Sequence, residues 1–186
     1  MKTPLVECVP NFSEGRRPAV MEAIVDAIRN TGGVKLLDWS SDPNHNRMVA
    51  TFVGAPKAVQ KAALESARKA VELIDLNHHI GEHPRIGAVD VIPLIPLSGI
   101  TLEECAELAH ELGQQIYNEL KVPVYFYEAA ARRAERKNLA FVRRGNFEGL
   151  RLEIKDPNRR PDLGLPEIHP SAGAVAVGAR RFFSRF

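Results

Sequence analysis

The densest group of side chains that could do chemistry lies in a polar stretch at positions 77–85. This group comprises His78, His79, Glu82, His83 and Arg85. An imidazole can accept and return a proton near neutral pH, so a histidine here is a candidate acid–base residue. Pro84 fixes the backbone after His83, a carboxylate such as Asp90 could orient the ring, and Arg85 could hold a substrate carboxylate. A solvated loop without a chemical role is the alternative interpretation.

The same stretch also matches a metal-binding pattern. His79-Ile-Gly-Glu-His83 has the H-x-x-E-H spacing of inverted zinc peptidases, whose two histidines lie on one face of a helix. Gly81 disfavours a helix here, and Pro84 disfavours helical backbone at the preceding residue. We therefore expect no metal, and a zinc hydrolase remains a minor alternative.

Three further groups could contribute to a binding site, although each of them alone favours an ordinary turn or loop. Arg47 stands at the start of a predicted strand, where its planar guanidinium could clamp a carboxylate. Residues 11–15 could offer amides and hydroxyls to a ligand. Small residues between Gly164 and Gly173 would let a planar ligand approach the backbone closely. In contrast, the basic run at 132–137 is expected to face solvent.

The hydrophobic pattern predicts the elements that position these groups. Strands are expected at 5–10, 34–39, 48–53, 88–97, 122–127 and 174–178, and helices from Pro18 to about Gly32, Pro56 to Leu73, and Thr101 to Leu120. Thr101 and Glu104 have capping-box spacing at the start of the third helix. The pattern is weak from 129 to 158.

The order of these elements predicts the fold class. Four strands and two helices follow the order β-α-β-β-α-β, which is typical of a ferredoxin-like fold. We therefore predict an α+β protein with a ferredoxin-like core and an added helix and strand. Its sheet is expected to be mixed, with helices on one face.

Length and composition are consistent with one domain over 1–186. The chain has 186 residues, 45% of them hydrophobic, and its 25 basic and 23 acidic residues leave a net charge of +2. This balance gives no reason to expect a nucleic-acid partner, and no apolar run is long enough to span a membrane. Cys8 and Cys105 are expected to be reduced. Without a secretory leader, the protein is expected to be cytoplasmic.

Several segments together resemble one family, that of the glutamate formiminotransferases. The segments are Leu5–Gly15, Asn46–Gly54, Gly81–Asp90, Val122–Tyr125 and Gly173–Phe182. They occur in the family's order and cover nearly the whole chain. The chain is therefore similar to the amino-terminal subdomain of the formiminotransferase domain, as found in formimidoyltransferase-cyclodeaminase.

This resemblance implies a reaction and its residues. The family transfers a formimino group from N-formimino-L-glutamate to N5 of tetrahydrofolate in histidine degradation, giving 5-formiminotetrahydrofolate and glutamate. It implies that His83 is the catalytic histidine, and that tetrahydrofolate is a co-substrate. Arg47 and Arg85 become candidate clamps for substrate carboxylates. The folate-contacting stretch corresponds to Gly164, Leu165, Pro166, Glu167, Ile168, His169, Pro170, Ser171, Ala172 and Gly173.

Two features depart from the family pattern. Ala172 and His169 stand where some relatives have a tryptophan and an apolar residue, respectively. The family's second half, also ferredoxin-like, is not expected within 186 residues. A homodimer or a partner chain would then supply the second wall of the cleft. The alternative function is a non-catalytic half that binds folate or a partner, and a formyl donor also stays open.

Overall fold

The computed structural model describes residues 1–182, so the last four positions of the domain predicted over 1–186 lie outside the described residues. The strands are β1 (Leu5–Cys8), β2 (Asn11–Phe12), β3 (Val34–Asp42), β4 (Arg47–Gly54), β5 (Val89–Ser98), β6 (Val124–Glu128) and β7 (Val175–Ala179). The helices are α1 (Pro18–Arg29), α2 (Pro56–Leu73), α3 (Leu102–Leu120), α4 (Leu139–Arg143) and α5 (Asn146–Glu153). Short 3₁₀ helices lie at Leu76–His78 and Ala134–Lys137.

All of these strands belong to a single mixed sheet. Its spatial order is β3, β4, β1/β2, β5, β7 and β6, where β1 and β2 lie end to end between β4 and β5. Strands β3, β4, β1 and β5 pair antiparallel, whereas β7 pairs parallel with both β5 and β6. The predicted α+β class and mixed sheet are confirmed. The chain order β-α-β-β-α-β is present when β1 and β2 count as one interrupted strand, and its ferredoxin-like assignment stays an interpretation.

The predicted first strand, at 5–10, is interrupted after Cys8 and resumes in the sheet at Asn11 and Phe12. Residues 11–15 were expected to be a turn, but Asn11 and Phe12 pair with both β4 and β5. The side chain of Phe12 is fully buried, and its packing in the core stabilises the return of the backbone to the sheet after the break at Pro10. The turn is therefore confined to residues 13–15, directly beside β4.

The three long helices cover one face of the sheet and begin as predicted. Pro18 and Pro56 occupy the first turns of α1 and α2, where a missing N–H costs nothing. At α3, the Thr101 hydroxyl accepts from the Glu104 N–H (3.0 Å), and the Glu104 carboxylate accepts from the Thr101 N–H (2.8 Å). The predicted capping box is thus confirmed. Within residues 1–182, no helix is long and apolar enough to cross a membrane.

The two short helices lie on the opposite face of the sheet. Along β6, Val124 and Phe126 pack in the core under the long helices, whereas Tyr125 and Tyr127 pack with residues of α4 and α5. The expectation of helices on one face therefore holds for the long helices alone. The strands β5, β7 and β6 are buried on both faces, and α4 and α5 supply the second cover.

One arginine of the basic run is buried, contrary to the prediction that 132–137 faces solvent. Arg136 is 2% exposed, and its guanidinium lies 3.1 Å from a carboxylate oxygen of Asp162. Its guanidinium also stacks over the ring of Tyr125 at 4.9 Å and donates to the Arg160 carbonyl at 2.6 Å. A buried charge needs such partners, so Arg136 is part of the packing on the α4 and α5 side.

Candidate functional site

The densest polar cleft lies where the β3–β4 turn, the end of β2 and the loop at 79–85 meet. His83, Arg47 and Arg85, the side chains predicted from the sequence, all line it. The remaining lining residues are Asn11, Phe12, Ser13, His45, Asn46, His79 and Asp90. The structure therefore brings the predicted histidine and arginines together, although 38 positions separate Arg47 from Arg85.

Asn46 holds the three segments of the cleft together. It has a positive φ of 50°, a conformation that asparagine tolerates better than most residues. Its side-chain oxygen accepts from the Gly15 N–H (2.8 Å), and its side-chain amide donates to the Ile80 carbonyl (3.1 Å). Its own carbonyl accepts from His79 Nε2 (3.0 Å). The loop approaches this turn so closely that a Cβ on Gly81 would lie 2.3 Å from the His45 carbonyl.

His83 is held in the tautomer of a general base. Its Nδ1–H donates to the Pro84 carbonyl at 2.6 Å, which leaves Nε2 as the acceptor of the neutral ring. Partial burial lowers the pKa of His83, and the charges of Arg47 and Arg143 lower it further. The imidazole is therefore neutral near pH 7 and can accept a proton at Nε2.

A second histidine, His45, contacts the ring of His83. The two ring centroids are 6.2 Å apart with an interplanar angle of 70°. His45 Nδ1 lies 2.7 Å from a carboxylate oxygen of Asp42, and this hydrogen bond lowers the pKa of Asp42. Asp42 thereby orients His45 as the outer wall of the cleft. The sequence prediction did not assign His45, although its position three residues after Asp42 in a turn was a usable signal.

His79 and Arg85 use their polar atoms to hold the loop. Arg85 Nε donates to His79 Nδ1 at 3.0 Å, and both terminal nitrogens of Arg85 donate to Glu148 at 2.8 Å. Hydrogen bonds from Arg85 lower the pKa of Glu148 to about 2. Burial lowers the pKa of His79, so its ring stays neutral between Arg85 and Asn46. Arg85 is thus occupied by a protein carboxylate.

The helix required by the zinc-peptidase alternative is not formed. The backbone from His79 to His83 is irregular, and the preceding 3₁₀ helix ends at His78. Both ring nitrogens of His79 are engaged by protein groups. The two histidines therefore do not stand on one helical face, and the H-x-x-E-H match has no structural counterpart here.

A buried carboxylate of the cleft, Asp90, pairs with Arg143, and its charge also acts on Arg47. Asp90 accepts from the Ile86 N–H at 2.7 Å and from an Arg143 terminal nitrogen at 2.6 Å. The Nε atoms of Arg47 and Arg143 are both buried without a hydrogen-bond partner among residues 1–182. Burial lowers the pKa of Arg47, and the nearby charge of Arg143 lowers it further. The region next to His83 therefore favours an anion.

The stretch at 164–173 contacts, at its end, the segment that follows His83. The Ala172 carbonyl accepts from the Ala88 N–H (3.0 Å), and Gly173 has a φ of 68° directly against the Ile86 carbonyl. In the turn before it, His169 Nδ1 accepts from two backbone N–H groups, and burial lowers the pKa of His169. Leu165, near the other end, is 64% exposed. Within the described part of the chain, none of the ten residues lines the His83 cleft.

Comparison with known families agrees with the family resemblance found in the sequence motifs. The sequence profile described as “Formiminotransferase domain, N-terminal subdomain” matches residues 5–180. The chain belongs to this family. The resemblance found in the sequence is therefore confirmed over nearly its whole length.

Similar full-length proteins place this formiminotransferase subdomain within longer chains. It is 47% identical over 176 residues to a glutamate formimidoyltransferase of Streptococcus pyogenes, and 48% identical over 180 residues to one of Thermoplasma acidophilum. It is 49% identical over 182 residues to a formimidoyltransferase-cyclodeaminase of Sus scrofa. These alignments cover 95%, 96% and 98% of this chain, but only 59%, 59% and 34% of the relatives.

Within the formiminotransferase subdomain, sequence reasoning predicted that His83 belongs to the candidate site, and it missed the charged groups around this histidine. Arg143 lies in the weakly patterned stretch from 129 to 158, so no motif indicated it. Glu148 lies in the same stretch and pairs with Arg85 across 63 positions. Asn46 belonged to a polar group that was predicted, but the hydrogen bonds by which it connects three segments depend on the fold.

Proposed function

We propose that this formiminotransferase subdomain takes part in transferring the formimino group of N-formimino-L-glutamate to N5 of tetrahydrofolate. His83 is the acid–base residue of this reaction. The observation that carries the proposal is the hydrogen bond from His83 Nδ1–H to the Pro84 carbonyl, which presents a neutral Nε2 to the cleft. The names of the two glutamate formimidoyltransferase relatives support the reaction.

The chemistry of the transfer needs one group that takes a proton and returns it. N5 of tetrahydrofolate attacks the amidine carbon, forming a new carbon–nitrogen bond and a tetrahedral adduct. His83 Nε2 accepts the N5 proton during this step. The bond to the glutamate nitrogen then breaks, and the protonated ring gives its proton to that departing nitrogen. The products are 5-formiminotetrahydrofolate and glutamate, and His83 returns to its neutral state.

The lowered pKa of His83 suits the first of these steps. A ring that is neutral at physiological pH can accept a proton without first losing one. The nearby guanidinium of Arg47 is a candidate partner for a substrate carboxylate, and holding both substrates in line lowers the entropic cost of the reaction. Arg85 was also a candidate clamp, but its hydrogen bonds to Glu148 favour a role in positioning the loop.

The folate site of the proposal is the stretch at 164–173. Ala172 accepts a hydrogen bond from Ala88, and Gly173 lies against Ile86, so this stretch contacts the segment that follows His83, which supports a folate site near the cleft. A second subdomain, from a partner chain or a second copy of this chain, would complete the wall. We place the reaction in the cytoplasm, as expected from the sequence, with no metal in the proposed mechanism.

The second candidate function is a half that binds folate or a partner without turnover of its own. The observation that favours it is that the chain spans 59% of the length of the two glutamate formimidoyltransferases it matches. The separation of residues 164–173 from the lining of the His83 cleft favours it too. A formyl donor in place of the formimino donor remains part of the same test.

A turnover assay separates these candidates. The 186-residue chain is incubated with tetrahydrofolate and either N-formimino-L-glutamate or N-formyl-L-glutamate, and tetrahydrofolate binding is measured in parallel. We expect His83→Ala to lower turnover about 100- to 10,000-fold, as loss of a general acid–base does, while tetrahydrofolate affinity is retained. His78→Ala is the matched control, since that histidine of the same loop is exposed to solvent.

The outcomes have different consequences. Turnover that survives His83→Ala contradicts the assigned base. Folate binding without turnover in either protein favours the non-catalytic half. Turnover with the formyl donor alone would correct the donor while keeping His83.

A further inference from the structure

The two arginine side chains beside His83 form an incomplete ion-pair network. Arg143, the last residue of α4, is 15% exposed and contacts Asp90 through one terminal nitrogen at 2.6 Å. Arg47, at the start of β4, feels the charges of both Asp90 and Arg143. In the described chain, each guanidinium keeps a buried Nε–H with no acceptor. An unpaired buried donor costs free energy, which a bound acceptor would recover.

The charge balance around His83 also calls for an anion. Arg85 is neutralised by its two hydrogen bonds to Glu148 and adds no net charge to the cleft. Asp90 pairs with Arg143, and Asp42, which is opposite Arg47 in the β3–β4 hairpin, pairs with His45, so Arg47 has no ion-pair partner among the described residues. A carboxylate from a ligand would restore neutrality and could accept from both arginines.

We propose that Arg47 and Arg143 together bind the α-carboxylate of the amino-acid donor, and that Arg143 determines specificity for a donor carrying that group. This inference rests on the proposed function and assigns Arg143 to its substrate site. Asp90, which lines the cleft, acts through Arg143 as a positioning residue that holds the guanidinium against it. The Asp90 carboxylate is itself fixed by the Ile86 N–H, only three residues after His83.

The chemistry of the two substrates indicates which of their carboxylates binds to the two arginines. In N-formimino-L-glutamate, the α-carboxylate is attached to the carbon that bears the departing nitrogen. A group two bonds from the reacting nitrogen must lie within a few ångströms of the base. The carboxylates of a folate are separated from N5 by a methylene bridge and an aminobenzoyl ring. Arg47 lines the same cleft as His83, and Arg143 pairs with Asp90 of that cleft, so these guanidinium groups match the donor and not the folate tail.

The inference predicts a coupling between one protein group and one ligand group. Calorimetric titration measures the affinity of the 186-residue chain for N-formimino-L-glutamate and for N-formimino-4-aminobutyrate, which lacks only the α-carboxylate. We expect the wild-type chain to prefer the first ligand by about 10- to 100-fold, as a charged hydrogen bond provides. In Arg143→Ala this preference should fall to within a few fold. The variant lacks the guanidinium and the second ligand lacks the α-carboxylate, and these two groups form one contact.

Matched variants control for general damage. Arg144→Ala removes the neighbouring exposed arginine, which stacks on Phe141, and should keep the full preference. Arg143→Lys keeps the charge near Asp90 but not the planar fork, so its preference should be intermediate. Each preference is a ratio measured on one protein, and partial loss of folded chain therefore does not change it.

Opposite results overturn the inference in distinguishable ways. If Arg143→Ala and Arg143→Lys both retain the wild-type preference, the α-carboxylate binds elsewhere and the proposed reaction stands. If the wild-type chain binds the two ligands equally, the α-carboxylate is not recognised here at all. If it binds neither ligand, the donor site of the proposed function fails together with the inference.

Discussion

Two arginine–carboxylate pairs flank His83, and they differ in how completely their polar groups are used. Arg85 donates with both terminal nitrogens to Glu148 at 2.8 Å, and its Nε donates to His79. Arg143 donates to Asp90 with one terminal nitrogen at 2.6 Å, and its Nε has no partner among the described residues. One arginine is saturated by the protein, whereas the other still has a donor to offer.

The burial of the two pairs differs as well. In the first pair the arginine is 8% exposed but its carboxylate, Glu148, is 64% exposed. In the second pair the side chains of Arg143 and Asp90 are 15% and 3% exposed. A saturated arginine with a solvated partner can hold a loop in place. An unsaturated arginine with a buried partner is suited to bind a ligand, since its remaining donor is buried from solvent.

The largest effect that tests this comparison is on stability. Asp90→Ala leaves Arg143 without a counter-charge in a poorly solvated position and removes the acceptor of the Ile86 N–H. We expect the free energy of unfolding to fall by about 3 kcal/mol, the cost of breaking a largely buried pair. Glu148→Ala removes an exposed carboxylate that water can replace, while Arg85 keeps its two hydrogen bonds to His79, so its cost should be about 1 kcal/mol. Urea unfolding of both variants measures the difference.

Asp90→Asn separates the two roles of this carboxylate. The amide oxygen can still accept from Ile86, while the charge that Arg143 faces is removed. An intermediate loss of stability would assign part of the effect to charge. If Asp90→Ala and Glu148→Ala cost the same, burial does not distinguish the two pairs and the comparison is wrong.

The sequence predicted those parts of the molecule whose signals are local. The long helices α1, α2 and α3 and the hairpin of β3 and β4 follow hydrophobic periodicity and turn residues within single segments. Helices α4 and α5 have 5 and 8 residues, too few turns for a periodic pattern to appear. The two-residue strand β2 was read as a turn for the same reason.

In the candidate site too, features with a local sequence signal were predicted, and those that depend on tertiary contacts were not. His83 was predictable because three histidines cluster within six positions, a feature of the sequence itself. The pairing of Arg143 with Asp90 spans 53 positions, and that of Arg85 with Glu148 spans 63. Whether a guanidinium is saturated depends on tertiary contacts, so the sequence assigned the same role to Arg47 and Arg85, although only Arg47 keeps an unpaired buried donor.

A smaller effect concerns the pH dependence of the saturated pair. The pKa of Glu148 falls from its ordinary value of 4.5 to about 2 in the folded chain. A lowered folded pKa stabilises the protein above the unfolded value, and this contribution is lost as pH falls from 4.5 towards 2. The difference in unfolding free energy between wild type and Glu148→Gln should therefore be largest above pH 4.5 and disappear near pH 2. Because Glu148 is exposed, we expect this difference in unfolding free energy to stay below about 1 kcal/mol.

Urea unfolding at a series of pH values in that window provides the measurement. A difference that does not change with pH would mean that the ion pair contributes no charge-dependent stability. Asp26→Asn is the control, since its carboxylate also contacts an arginine, Arg29, but both side chains are well exposed to solvent.

The smallest effect is a shift in the pKa of His83, and it tests whether this imidazole responds to the unpaired Arg47 and not to the saturated pair of Arg85 and Glu148. Burial, Arg47 and Arg143 lower this pKa, whereas Asp90 raises it. Arg47→Gln should therefore move it up towards 6.5, because a positive charge that disfavours the protonated ring is removed. Glu148→Gln should leave it unchanged, since that carboxylate is balanced by Arg85 and does not act on His83. NMR titration of the imidazole signals, with His83→Gln to assign them among six histidines, distinguishes these outcomes. Equal shifts in both variants would show that the saturated pair also tunes the base.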